Sequence, residues 1–241
     1  MVDCRFTHRE GHAVIKTLLL TGANNHDWAR SAPFCKDLLE SSGLFEVNLT
    51  ENPEKALEDR EGLGAYSLYF VDYNGPEWSE LAKANFIETV RGGTGVTILH
   101  AADNGFPGWV EYEELCALLW REGTGHGSYH KFTVKMLDKA HPITRGLPDM
   151  HDHPDELYHR MVHMHDSPYR TLAASYSNPE TGGTGDIEPM VIVKKYGAGR
   201  VFHDILGHVW AGGGMDTFES ADFQRLLIRG SEWAATGSVS S

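Results

Sequence analysis

Val14 to Thr21 is apolar around Lys16 and runs into Gly22-Ala23-Asn24-Asn25, the pattern of a buried strand feeding a loop. Phe34, Cys35, Leu38 and Leu39 then recur at helical spacing and stop at Ser41-Ser42-Gly43, which predicts a helix with a glycine exit. Phe45, Val47 and Leu49 alternate as a second strand, and Tyr66 to Val71 reads as a third, ending at Asp72-Tyr73-Asn74-Gly75. Trp78, Ala82, Phe86 and Val90 mark a helix closed by Gly92-Gly93, after which Gly95 to Leu99 forms a fourth strand that delivers His100. Strands and helices that alternate through short glycine-rich joints predict an α/β fold: three layers, with a mostly parallel central sheet and helices on both faces. The strands starting near Val14, Phe45, Tyr66 and Gly95 are expected to be parallel neighbours. Tyr112, Leu115, Cys116 and Leu119 suggest one more helix.

The second half is patterned differently. Phe132-Val134-Met136, Leu172 to Tyr176, Met190 to Tyr196 and Arg200 to Leu206 read as short strands with few helices between them, so some antiparallel pairing is expected. The last two should form a hairpin around a three-residue turn, Gly197-Ala198-Gly199. A final helix is expected over about Ser220 to Ala235, with Phe223, Leu226, Leu227 and Ile228 on its apolar face, before a frayed tail. No repeat, linker or low-complexity block interrupts the chain, so residues 1–241 are read as one domain with its core at about 14–237.

Charge narrows the range of partners. Lys and Arg total 21 against 34 Asp and Glu, a formal net charge of -13 that repels phosphate backbones and anionic lipid; neither nucleic acid nor a membrane is expected as a partner. The apolar runs are too short to cross a bilayer, and the charged first dozen residues point to the cytoplasm. Cys4, Cys35 and Cys116 have no CxxC spacing, which argues against a disulfide framework or a thiolate zinc site.

In open α/β sheets, ligands bind outside the carboxyl ends of the strands. Those ends are polar here: Asn24, Asn25, His26, Asp27 and Trp28 after the first strand, Asp72 to Asn74 after the third, His100, Asp103 and Asn104 after the fourth, and His208 to Trp210 late in the chain. The turn after the fourth strand, a common place for a nucleophile, carries no thiol or hydroxyl, so His100 there suggests proton transfer or metal ligation rather than acyl transfer. Cys35 and Cys116 fall on apolar helix faces and read as packing residues. Asp155-Glu156-Leu157-Tyr158-His159-Arg160 sets two carboxylates beside a tyrosine and a histidine, or is simply an exposed charge run. His151-x-His153 and His163-x-His165 would suit zinc on a strand face, or belong to solvated loops beside Pro154 and Pro168. The glycine-rich Thr181 to Gly185 does not join a strand to a helix, so neither a phosphate loop nor a nucleotide cofactor is expected.

In order along the chain, Val96-Thr-Ile-Leu-His-Ala-Ala-Asp-Asn-Gly-Phe-Pro107, His141-Pro-Ile-Thr-Arg-Gly-Leu-Pro148, Asp155-Glu-Leu-Tyr158, Tyr196-Gly-Ala-Gly-Arg-Val-Phe-His-Asp-Ile-Leu-Gly-His208 and Phe223-Gln-Arg-Leu-Leu-Ile-Arg-Gly230 together resemble the trehalose-utilisation (ThuA-like) family. Gly123-Thr-Gly-His126-Gly127 looks like that family's glycine-rich stretch ending in histidine. The resemblance implies a fold similar to class I glutamine amidotransferases, with flavodoxin-like character but without the amidotransferase cysteine. It also implies a carbohydrate substrate, with links to 3-keto sugars, and a divalent metal, zinc first. On that basis His100, Glu156, His26 and Asp103 are the candidate catalytic residues, and His100, His126 and His208 the candidate ligands. Trp28, Asp72, Asn74, Asn104, Tyr158 and Trp210 are the candidate sugar contacts. Elimination, isomerisation and hydrolysis all remain open, as do a non-catalytic sugar-binding or regulatory module, a metal-dependent ester or amide hydrolase, and homo-oligomerisation.

Overall fold

The computed structural model describes residues 13–240. The strands are β1 (Ile15–Leu20), β2 (Phe45–Thr50), β3 (Leu68–Val71), β4 (Gly95–Leu99), β5 (Leu118–Leu119), β6 (Gly125–His126), β7 (His130–Met136), β8 (Met150–Asp155), β9 (Tyr158–His159), β10 (Val162–His163), β11 (Arg170–Tyr176), β12 (Ile187–Tyr196) and β13 (Gly199–Asp204). The helices are α1 (Trp28–Ser41), α2 (Pro53–Glu58), α3 (Arg60–Leu63), α4 (Glu80–Gly92), α5 (Val110–Cys116), α6 (Asp216–Glu219) and α7 (Ala221–Thr236), and a 3-10 turn covers His100–Asn104.

Nine strands form one sheet in the order β2-β1-β3-β4-β13-β12-β11-β7-β8. The four strands expected as parallel neighbours are so, with Ile15 opposite Phe45, Thr17 opposite Leu68 and Leu68 opposite Gly95. β13 extends this parallel half, with Val201 opposite Val96, and every later pairing is antiparallel. The sheet is therefore half parallel, rather than mostly so.

Side-chain alternation along the central strands sorts two cores. Leu19 and Phe70 face α1 and α7 through Cys35, Leu39, Phe223 and Leu227. Leu18, Leu20, Tyr69 and Val71 face the other way, onto Leu57, Phe86, Val90 and Leu115 of α2, α4 and α5. Helices thus cover both faces of the parallel half. No helix among the described residues is long and apolar enough to cross a membrane.

Two local expectations are corrected. The β12–β13 hairpin closes on a two-residue turn, because Gly199 already pairs with Tyr196; Gly197 supplies the left-handed residue, at φ +61°. Leu119 is not helical: α5 ends at Cys116, Ala117 turns at φ +63°, and Leu118–Leu119 pair with Val162–His163.

A candidate active site at the strand ends

Four chain segments meet at the carboxyl ends of the parallel strands. After β1 the chain turns through Gly22 at φ +108°, where a Cβ would lie 2.2 Å from the Glu51 carbonyl oxygen, so only glycine fits. The loop beyond it is held by amide side chains. Asn24 Nδ2 donates to Asp72 (2.9 Å), and Asn24 Oδ1 accepts the His26 N–H (2.9 Å). Asn74 accepts the Asn25 N–H (3.0 Å) and donates to the Ala101 carbonyl (3.0 Å), tying the ends of β1, β3 and β4 together.

His100 opens the 3-10 turn at φ +42°, a left-handed conformation that is uncommon and strained outside glycine. Its Nδ1 lies 2.7 Å from the Ile205 carbonyl, which only accepts, so Nδ1 carries the proton. Nε2 is left with a bare lone pair and has no partner although it is buried. The ring stacks on Tyr158, with centroids 4.2 Å apart.

The remaining two groups are placed by Asp155. Its carboxylate accepts the backbone N–H of Glu156 (2.7 Å), Gly207 (2.9 Å) and His208 (3.1 Å), clamping the end of β8 to the loop after β13. Glu156 Oε2 then lies 3.0 Å from His208 Nδ1, which is 3.1 Å from His26 Nε2. The ligand-capable atoms of His26, His100, Glu156 and His208 all fall within 4.8 Å of one another. Burial, with the neighbouring histidines adding to it, lowers His26 to about 4 and takes His100 well below the usual imidazole range. Both rings are therefore neutral at neutral pH, the form that binds cations or accepts protons.

A pocket of about 120 Å³ opens in front of this cluster. Asn25, Asp103, Asn104 and Tyr158 line it, with Trp120 and Trp210 as aromatic walls. Trp210 is 54% exposed and stacks on His26 at 5.3 Å. Arg30 secures its loop by donating to the Trp210 (2.7 Å) and Gly213 (2.8 Å) carbonyls.

Of the residues singled out from sequence, His26, His100, Glu156 and His208 converge, and Asp103, Asn104, Tyr158 and Trp210 line the pocket. His126 also lines the pocket but stands one step outside the four, 3.5 Å from Glu156 Oε1. Asn74 braces the loops from beneath. Asp72 and Trp28 lie away from the pocket wall: Asp72 is buried against Asn24 and Ser31, and Trp28 begins α1. The His-x-His pairs do not assemble. His151 is exposed while His153 is buried on Asp155, and His163 and His165 bond separately to Ser167 and Glu113. Cys35 and Cys116 are buried packing residues whose thiols burial pushes upward; Cys4 lies outside the described residues.

Sequence reasoning missed the roles of Asp155 and Trp120. Asp155 was visible only as Glu156's neighbour, and its work as a backbone clamp depends on Gly207 and His208, fifty residues away. Trp120 follows a helix whose end was placed too late.

Fold and site define a class: a mixed α/β protein whose parallel strands, together with one antiparallel strand end, deliver histidines and a glutamate to a single small polar pocket. The chain belongs to the trehalose-utilisation (ThuA) family, whose model matches residues 16–234. It is similar to a protein described as ThuA-like from Parabacteroides merdae, with 37% identity and a TM-score of 0.86 over 95% of this chain and 92% of that one. A second such protein, from Bacteroides uniformis, shares the fold at 16% identity and a TM-score of 0.71, covering 98% and 97% of the two chains. So does a cytoplasmic protein of Salmonella typhimurium, at 11% identity and 0.60, covering 91% and 99%. No curated protein matches the sequence.

Proposed function

We propose that this protein is a carbohydrate-processing enzyme that acts on a keto-glycoside or keto-sugar in its strand-end pocket. One observation carries the reading: three imidazoles and Glu156 converge within 4.8 Å beside a tryptophan-walled pocket, in a chain of the trehalose-utilisation family. Sparse cysteines without CxxC spacing favour a reducing, cytoplasmic setting.

The donor set fits a divalent metal. His100 Nε2 is buried and unpartnered while Nδ1 is anchored on a carbonyl, the arrangement typical of a ligating histidine, and the imidazole-rich set suits zinc. His26, His100 and His208 would hold it, leaving Glu156, with His126 beside it, as the acid partner. When bound, such an ion supplies a Lewis acid for a keto oxygen.

The side chains account for the proton chemistry. A ketone acidifies the C–H beside it, and a base lining the pocket takes that proton. The bond from the next carbon to the glycosidic oxygen then breaks, and Glu156, as the acid partner, protonates the departing oxygen. Trp210 and Trp120 offer ring faces, and Asn104 a polar contact, to the sugar.

The test is turnover of methyl 3-keto-glucoside and 3-keto-trehalose by the purified protein, with metal analysis of the same preparation. Wild type should release the aglycone, and His100→Ala should lower turnover by about 10²- to 10⁴-fold in folded protein. Loss of metal in that variant assigns His100 as a ligand, and retention assigns it as a base. Binding without turnover would point to a sugar-binding module instead. Metal-dependent cleavage of esters or amides, with keto-sugars untouched, would point to a hydrolase.

A further inference from the structure

Behind the pocket, apart from the four-residue cluster, Asp103 and His203 are both completely buried and face each other. His203 Nδ1 lies 3.1 Å from the Cys116 carbonyl, and Nε2 lies 3.3 Å from Asp103 Oδ2. A carbonyl only accepts, so Nδ1 must carry a proton, and the neutral imidazole then presents a bare Nε2 to the carboxyl. Two acceptors cannot face each other at that distance without a proton between them. The pair therefore holds one extra proton, as carboxylic acid and imidazole or as carboxylate and imidazolium. Asp103 also lines the pocket, and its Oδ1 has no hydrogen-bond partner; the Trp120 amide approaches the carboxyl without completing a bond.

We infer that Asp103 and His203 form a buried proton relay serving the pocket. As Asp103 Oδ1 takes a proton from the bound molecule, the proton on Oδ2 moves to His203 Nε2. One bond from the bound molecule to hydrogen and one Oδ2–H bond break, while one Oδ1–H and one Nε2–H bond form. The bound molecule is left with a negative charge and His203 with a positive one. The reverse transfer returns a proton to the bound molecule, so the pair ends as it began.

The surroundings favour the uncharged starting form. Burial is the largest influence on Asp103 and raises its carboxyl; the His203 hydrogen bond and Arg121 oppose it only in part. Arg121 is itself neutralised by Glu113, at 3.1 Å. The other titratable groups near the pair are Tyr112 and Cys116 on α5 and Tyr158 on β9, with Lys194 on β12 beyond Cys116; burial raises Tyr112, Cys116 and Tyr158, which keeps them uncharged, and lowers Lys194 to about 8. Asp103 would touch the bound molecule, whereas His203 acts through it as a positioning residue that stores the proton. The use of the relay in catalysis rests on the sugar-processing reading; the proton pair does not.

Nitrogen NMR of the ¹⁵N-histidine-labelled full chain, without sugar, tests the pair directly. His203 should show a protonated Nδ1 and an Nε2 that shares a proton, and Asp103→Asn should turn Nε2 into an ordinary hydrogen-bonded acceptor. A bare Nδ1, or an Nε2 signal indifferent to Asp103→Asn, overturns the relay whatever the substrate. Deuterium exchange from heavy water into methyl 3-keto-glucoside then tests its use. Asp103→Asn keeps the shape of the carboxyl and His203→Gln keeps a polar partner for it, and in folded protein each should slow exchange by about 100-fold or more. If the wild type exchanges and both variants stay within about twofold of it, the relay's catalytic role is overturned. If the wild type exchanges nothing while the shared proton is present, the sugar reading fails and the pair stands on its spectrum.

Discussion

Replacing Asp72 by Asn should make the protein more stable at pH 8, although the substitution removes a hydrogen-bonded charge. Asp72 is buried at the end of β3, with one oxygen taken by Asn24 Nδ2 (2.9 Å) and the other by Ser31 Oγ (2.6 Å). No cation among the described residues pairs with it. Burial outweighs these two hydrogen bonds and raises the carboxyl from 3.8 to about 6. The folded state therefore binds a proton before the unfolded state does, and the associated stability is fully present below pH 3.8 and lost as pH rises through 6. At 1.36 kcal/mol per pKa unit, the ionised carboxylate costs about 3 kcal/mol at pH 8. Asparagine fills the same space, accepts from Asn24 and donates to Ser31, whose hydroxyl accepts equally well. Urea unfolding of both proteins in chelator, from pH 4 to pH 8, should show the variant ahead by up to about 3 kcal/mol at pH 8, the gap closing toward pH 4. An Asn variant no more stable than wild type at pH 8, with an unchanged pH slope, would refute the reasoning and reinstate Asp72 as a favourably held charge.

Three further outcomes are expected. Cys35→Ser and Cys116→Ser should keep activity, with Cys35→Ser losing about 1–3 kcal/mol by burying a hydroxyl in an apolar site; abolished turnover in folded protein would contradict the packing role. Gly207→Ala should lower both stability and metal affinity, because φ is +126° and the new Cβ would lie 3.0 Å from Leu99 Cδ1 and 3.3 Å from His100 Cβ. The strain alone is about 1–3 kcal/mol, and an alanine variant with wild-type unfolding and metal content would count against it. The imidazole of metal-free His26 should stay neutral down to about pH 4, so its share of stability is present above 6.5 and drains away as pH falls toward 4. An NMR titration that finds His26 protonated at about pH 5.5 would be incompatible with its burial.

The parallel half of the fold was legible because β1, β3 and β4 are mainly apolar runs and β2 alternates, each followed by a loop-forming polar stretch. β8 was not legible as a strand. Met150–Asp155 contains two histidines, a proline and two aspartates, and Asp152 turns at φ +53°, so neither alternation nor propensity marks it. Its pairing with β7, across a register irregularity, places the strand. Candidate chemistry followed the same division. His26, His100 and His208 were readable because they stand after strands. The role of Asp155 as a clamp, and the contact between His203 and Asp103 a hundred residues earlier, exist only once distant segments meet. Asp72 was misplaced for the opposite reason: it does follow a strand, but its side chain turns inward to Ser31.

The β12–β13 hairpin also bears on how the chain reaches its native state. It is inserted between β4 and β11, so it alone joins the parallel half-sheet to the antiparallel one. β1–β4 on one side and β7, β8 and β11 on the other precede it in the chain, and until residues 187–204 emerge from the ribosome each set carries an open edge of unpaired amides and carbonyls. Pairing across such separations is slow, and open edges invite association with other chains. The hairpin is in this sense the keystone of synthesis: the edges on either side of it close only when it pairs with β4 and β11.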